Sequence, residues 1–260
     1  MEDPKKIKIS IIIACLNAEK KIEKSIQSII SQNYPDTEII VIDGNSKDRT
    51  LDILKSHSSS IYKLISENDS GIGDAWNKGL SYANGDLIGI LNAGDYYDMG
   101  TFSKIVKSFR TMEGPAIGYG DTTFFDEHNI QHKHLSKHHN SKLALLNGFG
   151  FMHPSVFFTS SVVNEIGNFD VKKRIAVDSD WLIRAKVKNV TFFKIPNHTF
   201  MEIGGLSMIY PYTGMGEYMD SLVKYGFKRY YIILFFLFRL LGAVKNYLIY
   251  CLKKIRLWYD

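Results

Sequence analysis

The chain has 260 residues, enough to bury the core of one large α/β domain with an appendage, and its 45% hydrophobic and 23% charged content is that of a globular protein. Its two cysteines, Cys15 in an apolar run and Cys251 near the end, argue against a disulfide framework or a thiolate metal site. The net charge of +5 is unevenly spread, with +7 on residues 221–260 and −2 on the first 220, a pattern that points to an anionic surface rather than nucleic acid as partner. No apolar stretch precedes the first strand after MEDPKKIKIS, so no signal peptide is expected and the body of the chain is expected in the reducing cytoplasm.

Apolar β-branched runs alternate with amphipathic segments over the first hundred residues. Residues 9–14 read as a buried strand, and residues 18–31 place Ile22, Ile26, Ile29 and Ile30 on one helical stripe. A strand follows at 38–43, then a helix after Ser46, whose hydroxyl and neighbour Asp48 suit an N-terminus. Residues 61–66 form a third strand, 72–83 a helix and 86–91 a fourth strand. This spacing predicts an α/β fold with a mainly parallel sheet flanked by helices. Ligands of such sheets sit beyond the carboxyl ends of the strands. Asn17, Asp43, Asp69, Asn92 and Asp95 all fall at those ends. Further on, the pattern predicts a helix at 101–111, short strands around 116–125 and a His-rich polar excursion. Two helices and a strand are expected between 151 and 195, with irregular loops at 120–150 and 196–215.

Three blocks, taken together and in this order, carry a resemblance over residues 7–205. They are SIIIACLNAEKKIEKSIQSIISQNYPDTEIIVIDGNSKDRT, ENDSGIGDAWNKGLSYANGDLIGILNAGDYY and GNFDVKKRIAVDSDWLIR. The chain resembles family-2 glycosyltransferases of the GT-A fold, in their bacterial polysaccharide branch. The resemblance implies transfer of a sugar from a nucleotide-sugar donor, UDP before GDP or dTDP, to a glycan or lipid-linked acceptor. It also implies Mn2+ or Mg2+ as cofactor, and backbone around Ala14 to Asn17 lining the nucleotide pocket, with Asn17 and Glu19 beside it.

The residues agree with that implication one by one. Asp43 and Asp69 can offer carboxylates to ribose hydroxyls or base N–H groups, although Asp43-Gly44 also reads as a simple turn. In NAGDYY, a carboxylate-held divalent cation would neutralise the leaving diphosphate. Relatives show two adjacent acids there. Here Gly94 stands in place of the first, Asp95 matches the position that contacts the metal, and Asn92 can add a neutral oxygen. Lys78 is the expected cation near the diphosphate, or else a solvated helix face; Asp74 could serve the helix N-terminus. In VDSDW, Asp178 aligns with the family's base, which would take the proton of the attacking hydroxyl and invert the anomeric centre. Asp180 is the alternative base, and either acid can instead serve the helix dipole. The resemblance puts His153 near donor and acceptor; a core histidine is the other reading. His128, His132, His134, His138 and His139 match no standard metal spacing and read as an acceptor-side loop.

The expected division is residues 1–210 for the transferase unit and 211–260 for a C-terminal helical tail. Arg239 and Lys245 interrupt its apolar run, which therefore falls short of the ~20 residues of a spanning helix. On a helical wheel its basic residues fall within roughly 200° of arc, with Leu237, Leu241, Val244, Leu248 and Ile255 opposite. That fits a basic amphipathic helix lying on an anionic membrane, so a peripheral location on the inner face of the cell membrane is expected, with a packing or dimerising helix as the alternative. Three other functions compete. A nucleotidyltransferase or a dinucleotide oxidoreductase would want a glycine-rich loop after the first strand, and ACLNAEKK lacks one. A non-catalytic nucleotide-sugar-binding relative is motivated by Gly94.

Overall fold

The structure is a computed structural model and describes residues 6–126, 128, 131–137 and 142–237. Its centre is β1 (Ile9–Cys15), a run of mostly β-branched residues buried along its whole length. β2 (Thr37–Asp43) and β4 (Leu87–Asn92) pair with it in parallel on either side, and β3 (Lys63–Ser66) extends the sheet beyond β2. Side chains of a strand alternate between faces, so β1 serves two cores. Ile9, Ile11 and Ile13 pack in one cluster with α1 (Ile22–Ile30) and α4 (Thr101–Phe109), joined by Leu54 of α2 (Thr50–Ser56). Ile12 and Ala14 pack in the other with α3 (Ile72–Tyr82) and α6 (Val177–Val187). The expected N-terminal β-α-β-α order is therefore present. Ser46, however, does not cap α2; its hydroxyl turns to Asp43 instead.

The second half of the sheet is mixed. Strand order is β3-β2-β1-β4-β8-β6-β9-β5, with β7 (Gln131–His134) paired to β6 (Ala116–Phe125). β8 (Phe157–Thr159) runs antiparallel to both β4 and β6, and β5 (Tyr96–Tyr97) antiparallel to β9 (Thr191–Glu202), whereas β6 and β9 are parallel. Residues 116–125 are thus one ten-residue strand rather than several short ones. Residues 196–202, expected in a loop, belong to β9. The expectation failed at Pro196, because proline removes a ladder donor and demotes a strand. The register shift between Tyr119 and Asp121 absorbs it, and the pairing resumes with Asp121 opposite His198.

Between β8 and β9 the chain forms α5 (Ser160–Ile166) and α6, and after β9 come α7 (Leu206–Ile209) and α8 (Pro211–Lys224). α8 packs on α6. Leu222, together with Ile232 from the helical stretch 229–237, is buried against Ile183, Leu145 and Leu146 in a third cluster. Residues 238–260, where most of the expected amphipathic tail falls, lie outside the described residues. Among the described residues no helix is long and apolar enough to cross a membrane.

α3 approaches the sheet closely because Gly79 has no side chain: a Cβ there would lie 2.3 Å from Ile12 Cγ2, a buried atom of the central strand. Gly79→Ala is expected to cost about 1–3 kcal/mol by overpacking. A urea-denaturation midpoint equal to wild type would show that α3 is not docked this tightly.

Candidate functional site

A cleft of about 730 Å3 opens beyond the carboxyl ends of β1 and β4. Ala14 to Ala18, Asn92 and Ala93 form its floor; Phe149, Phe151 and His153 line one side, and Arg174, Asp178 and Ser179 ahead of and within α6 line another. The end of β9, α7 and α8 contribute Met201, Leu206 and Met215.

At the β1–β2 edge, two loops are laced together. Asn17 holds a left-handed backbone (φ 50°), its Oδ1 accepts the Lys47 N–H at 2.8 Å, and its own N–H donates to Ser46 Oγ at 2.8 Å. Glu19 Oε2 accepts the Arg49 N–H at 3.1 Å. Asp43 is fully buried, and its carboxylate accepts from the Ser46 N–H, the Ser46 hydroxyl and the Ser66 hydroxyl. Its oxygens therefore secure the turn after β2 rather than facing the cleft. Asp69 accepts the Gly71 N–H at 2.9 Å, and its Oδ2 stands 2.8 Å from where a Gly44 Cβ would be, so Gly44 keeps this corner open.

The β4–β5 turn is held from below. Ser25 of α1 accepts the Gly94 N–H at 3.0 Å and donates to the Asp95 carbonyl at 2.8 Å. The Asp95 side chain is only 4% exposed, and its Oδ1 accepts the Glu202 N–H of β9 at 3.1 Å. Burial, together with the Glu202 charge and against that hydrogen bond, leaves its carboxyl pushed up to about 7. Gly94 needs its glycine twice over: φ is +107°, and a Cβ would meet Glu202 Oε2 at 2.6 Å. The space that an acid at position 94 would use is taken by the Glu202 carboxylate, which pairs with Lys21 Nζ at 2.7 Å. Asn92 Oδ1 is buried with no hydrogen-bond partner among the described residues.

The two candidate bases part company. Asp178 lines the cleft with a 30% exposed side chain, and its Oδ2 lies 3.9 Å from His153 Nδ1. Asp180 is fully buried and points the other way. It is bonded to Arg184 at 3.2 Å and to the Ser221 hydroxyl at 2.7 Å, so it ties α6 to α8 and does not line the cleft. Burial holds the His153 imidazole below its ordinary value of 6.5, against the pull of the Asp178 charge, so the ring is neutral at pH 7. Its Nε2 lies 3.3 Å from Asn92 Nδ2, and its Nδ1 faces Asp178. Trp76 of α3 packs its ring 5.4 Å from the imidazole.

Lys78 does not line the cleft. Its ammonium is bound by Glu67 at 2.8 Å, the Asn68 carbonyl at 2.9 Å and Asp74 at 3.5 Å. The cations on the cleft wall are instead Lys21 and Arg174. Neither stands out in the sequence, because a lysine just before an amphipathic helix ordinarily faces solvent and only the fold brings Glu202 to it. Glu217 was also illegible. Its carboxylate, on α8, accepts the N–H groups of Arg174, Ile175 and Ala176 at 2.8–2.9 Å, fixing the entry to α6 just before Asp178. Of the histidine run, His132 and His134 lie on β7 and His134 Nε2 contacts the Gly150 carbonyl; His138 and His139 lie outside the described residues. No three His, Cys, Asp or Glu side chains gather as a metal cluster among the described residues.

A parallel sheet with its cleft at the carboxyl ends of the strands, a carboxylate at the start of a helix and a strand-end turn opposite it define a nucleotide-sugar transferase of the GT-A type. Residues 10–167 match the profile of Glycosyl transferase family 2, and the chain belongs to that family. It is a glycosyltransferase that binds a nucleotide-sugar and transfers its sugar to an acceptor. A PGL/p-HBAD biosynthesis glycosyltransferase of Mycobacterium bovis is 26% identical over 215 residues, 76% of this chain and 78% of the relative. A dolichyl N-acetyl-alpha-D-glucosaminyl phosphate 3-beta-D-2,3-diacetamido-2,3-dideoxy-beta-D-glucuronosyltransferase of Methanococcus voltae is 26% identical over 232 residues, 84% of this chain and 71% of the relative. Among solved structures, S. aureus TarS in complex with UDP superposes with a TM-score of 0.63 at 16% identity, covering 87% of this chain and 68% of that one. The mannosyltransferase PcManGT of Pyrobaculum calidifontis, in complex with GDP-Man and Mn2+, gives 0.62 at 15% identity, covering 85% and 66%.

Glu217 carries a pH-dependent part of the stability of this site. Burial raises its carboxyl, but the three N–H donors outweigh that and leave it below its ordinary value of 4.5. Its contribution is therefore complete above pH 4.5 and is lost as pH falls through the lower folded value. Glu217→Gln is expected to cost about 1–2 kcal/mol at pH 7, toward the low end for charged acceptors because the carboxylate is only partly buried. The difference from wild type should shrink on acidification. A gap that stays constant from pH 7 to pH 3 in denaturant titrations would contradict the assignment.

Proposed function

We propose that the protein is an inverting glycosyltransferase that moves a sugar from a UDP-sugar to a hydroxyl of a glycan or lipid-linked acceptor. The observation that carries this is Asp178: it is the acid of VDSDW that faces the cleft, joined through His153 to Asn92 on the floor. As the acceptor oxygen attacks the anomeric carbon, Asp178 takes its proton while the bond from that carbon to the diphosphate breaks. Attack from the face opposite the departing nucleotide inverts the centre. His153 stands beside Asp178, with its Nδ1 3.9 Å from Oδ2, and borders the position that the attacking hydroxyl would take. Asn17, Glu19, Asp43 and Asp69 shape the nucleoside end, the first three through the lacing of the β1 and β2 loops and Asp69 with a carboxylate at the open corner. Ala14 supplies backbone there. The UDP assignment is supported by TarS having been solved with UDP and with UDP-GlcNAc.

The turn after β4 fits Mn2+ or Mg2+ held largely by diphosphate and water. It presents oxygen donors only, namely the unpartnered Asn92 Oδ1 and the carboxylate of Asp95, and a nearby cation would favour the ionised form of that carboxyl. Such an ion, present with GDP-Man in PcManGT, supplies neutralisation of the charge that grows on the leaving diphosphate. Residues 1–210 carry the transferase residues, and α8 of the following segment braces them through Glu217 and Ser221. The segment from 211 onward, docked on α6 at its start, carries them to the inner face of the cell membrane. Support for that location comes from the basic tail and from Leu206, Met208, Ile209, Tyr210 and Tyr212, all exposed where α7 and α8 border the cleft. The dolichyl phosphate in the name of the Methanococcus relative is in keeping with a lipid-linked acceptor.

Asp178→Asn should abolish transfer, lowering it at least ~10²-fold as expected for a lost general base, while UDP still raises the melting temperature as in wild type. Retained transfer would remove Asp178 from the role. Truncation after residue 237, which keeps the packed Ile232, should end co-sedimentation with anionic vesicles; undiminished binding would refute the tail's part in attachment.

A further inference from the structure

The floor of the cleft after β4 is poor in negative charge. Position 94 has no side chain, Asn92 is neutral, and the Asp95 carboxyl is buried and bonded to the backbone of β9. Into the space left at position 94 the fold brings two other groups. One is the Glu202 carboxylate from the end of β9. The other is Lys21, whose Cδ would stand 3.4 Å from a Gly94 Cβ and whose ammonium is 2.7 Å from Glu202. An acid at position 94 would collide with this pair, so the pair and the glycine belong together.

We infer that Lys21 is a diphosphate-binding residue of the donor site, a protein-borne cation oriented by Glu202 at the turn after β4. The inference rests on reading the cleft as the donor site. Lys21 is half exposed and lines the cleft beside Asn17 and Ala93, so its ammonium reaches solvent-filled space while one of its three donors is engaged by Glu202. Lys78, by contrast, is enclosed by two carboxylates and a carbonyl outside the cleft. Arg174 also lines the cleft, on the segment that enters α6 ahead of Asp178. An ammonium needs no site of its own to be charged at neutral pH, and a phosphate oxygen that meets it gains a charge-assisted hydrogen bond. Donor binding should then keep a metal-independent component, and that component should be specific to the phosphates.

The test uses the full chain and direct calorimetry with UDP, GDP and dTDP, and with uridine, in excess EDTA and again with Mn2+. Lys21→Gln is expected to weaken the bound nucleoside diphosphate about tenfold in EDTA, the size of one charge-assisted contact, and to leave uridine binding unchanged. Lys21→Arg should keep most of the affinity. Glu202→Gln should weaken binding by less and add nothing on top of Lys21→Gln, as a residue acting through the lysine must. Wild-type affinity in Lys21→Gln, or equal losses for UDP and uridine, would overturn the role of Lys21. Tighter binding in Glu202→Gln would overturn the positioning role. A wild-type protein that binds none of the nucleoside diphosphates would instead bring down the donor-site reading, and this inference with it.

Discussion

Burial of β1 on both faces is the constraint from which the rest of the molecule follows. A strand between two parallel neighbours and two helical layers can carry inward only apolar side chains or polar ones with buried partners: Ile9, Ile11, Ile12 and Ile13 are apolar, and Ser10 is bonded to Glu38 and to the Gly85 N–H. The polar groups that line the cleft are left to the strand ends. Asn17, Asp43, Asn92 and Asp95 all fall there, and because the four N-terminal strands are parallel, those ends share one edge. The cleft is the consequence of that alignment.

Catalysis in this chain then depends on bringing a second wall to the same edge. α6 does so, and it is held by α8 in two ways: Glu217 gathers the N–H groups of residues 174–176, and Ser221 binds Asp180 from behind. Buried polar groups need partners, and Asp180 finds its partners on the far side of the helix in Arg184 and Ser221, which leaves Asp178 to the cleft. His153 fills the gap between the two walls. Its neutrality is a product of burial, and its contacts run from Asn92 on the sheet to Asp178 on the helix.

The floor of the cleft shows how one residue's identity propagates. With glycine at 94 the backbone takes a positive φ and Glu202 moves into the vacated space, where Lys21 neutralises it. Asp95, beneath, serves β9 through a backbone hydrogen bond. Among the described residues, Lys21 and Arg174 thus border a cleft whose floor after β4 carries no lining acid.

The sequence by itself determined the N-terminal α/β half, because alternation of apolar runs at periods of two and 3.6 is a local property that burial imposes on strands and helices alike. It also determined the family, through three blocks in fixed order, and singled out Asp178, Asn92 and His153 as site residues. Only the tertiary structure shows that Asp178 lines the cleft while Asp180 is buried, since two acids two residues apart on a helix are told apart by what packs behind them. It likewise set Asp43 and Lys78 into local hydrogen-bond and ion-pair networks, joined Pro196 to a continuous β9 through a register shift, and brought Lys21, Glu202 and Glu217 to the site. Those last three come from the first and last thirds of the chain and act on residues 40 to 180 positions away. Their roles are long-range electrostatic and hydrogen-bonding ones, and no local pattern in a sequence records which distant group a charged side chain will meet.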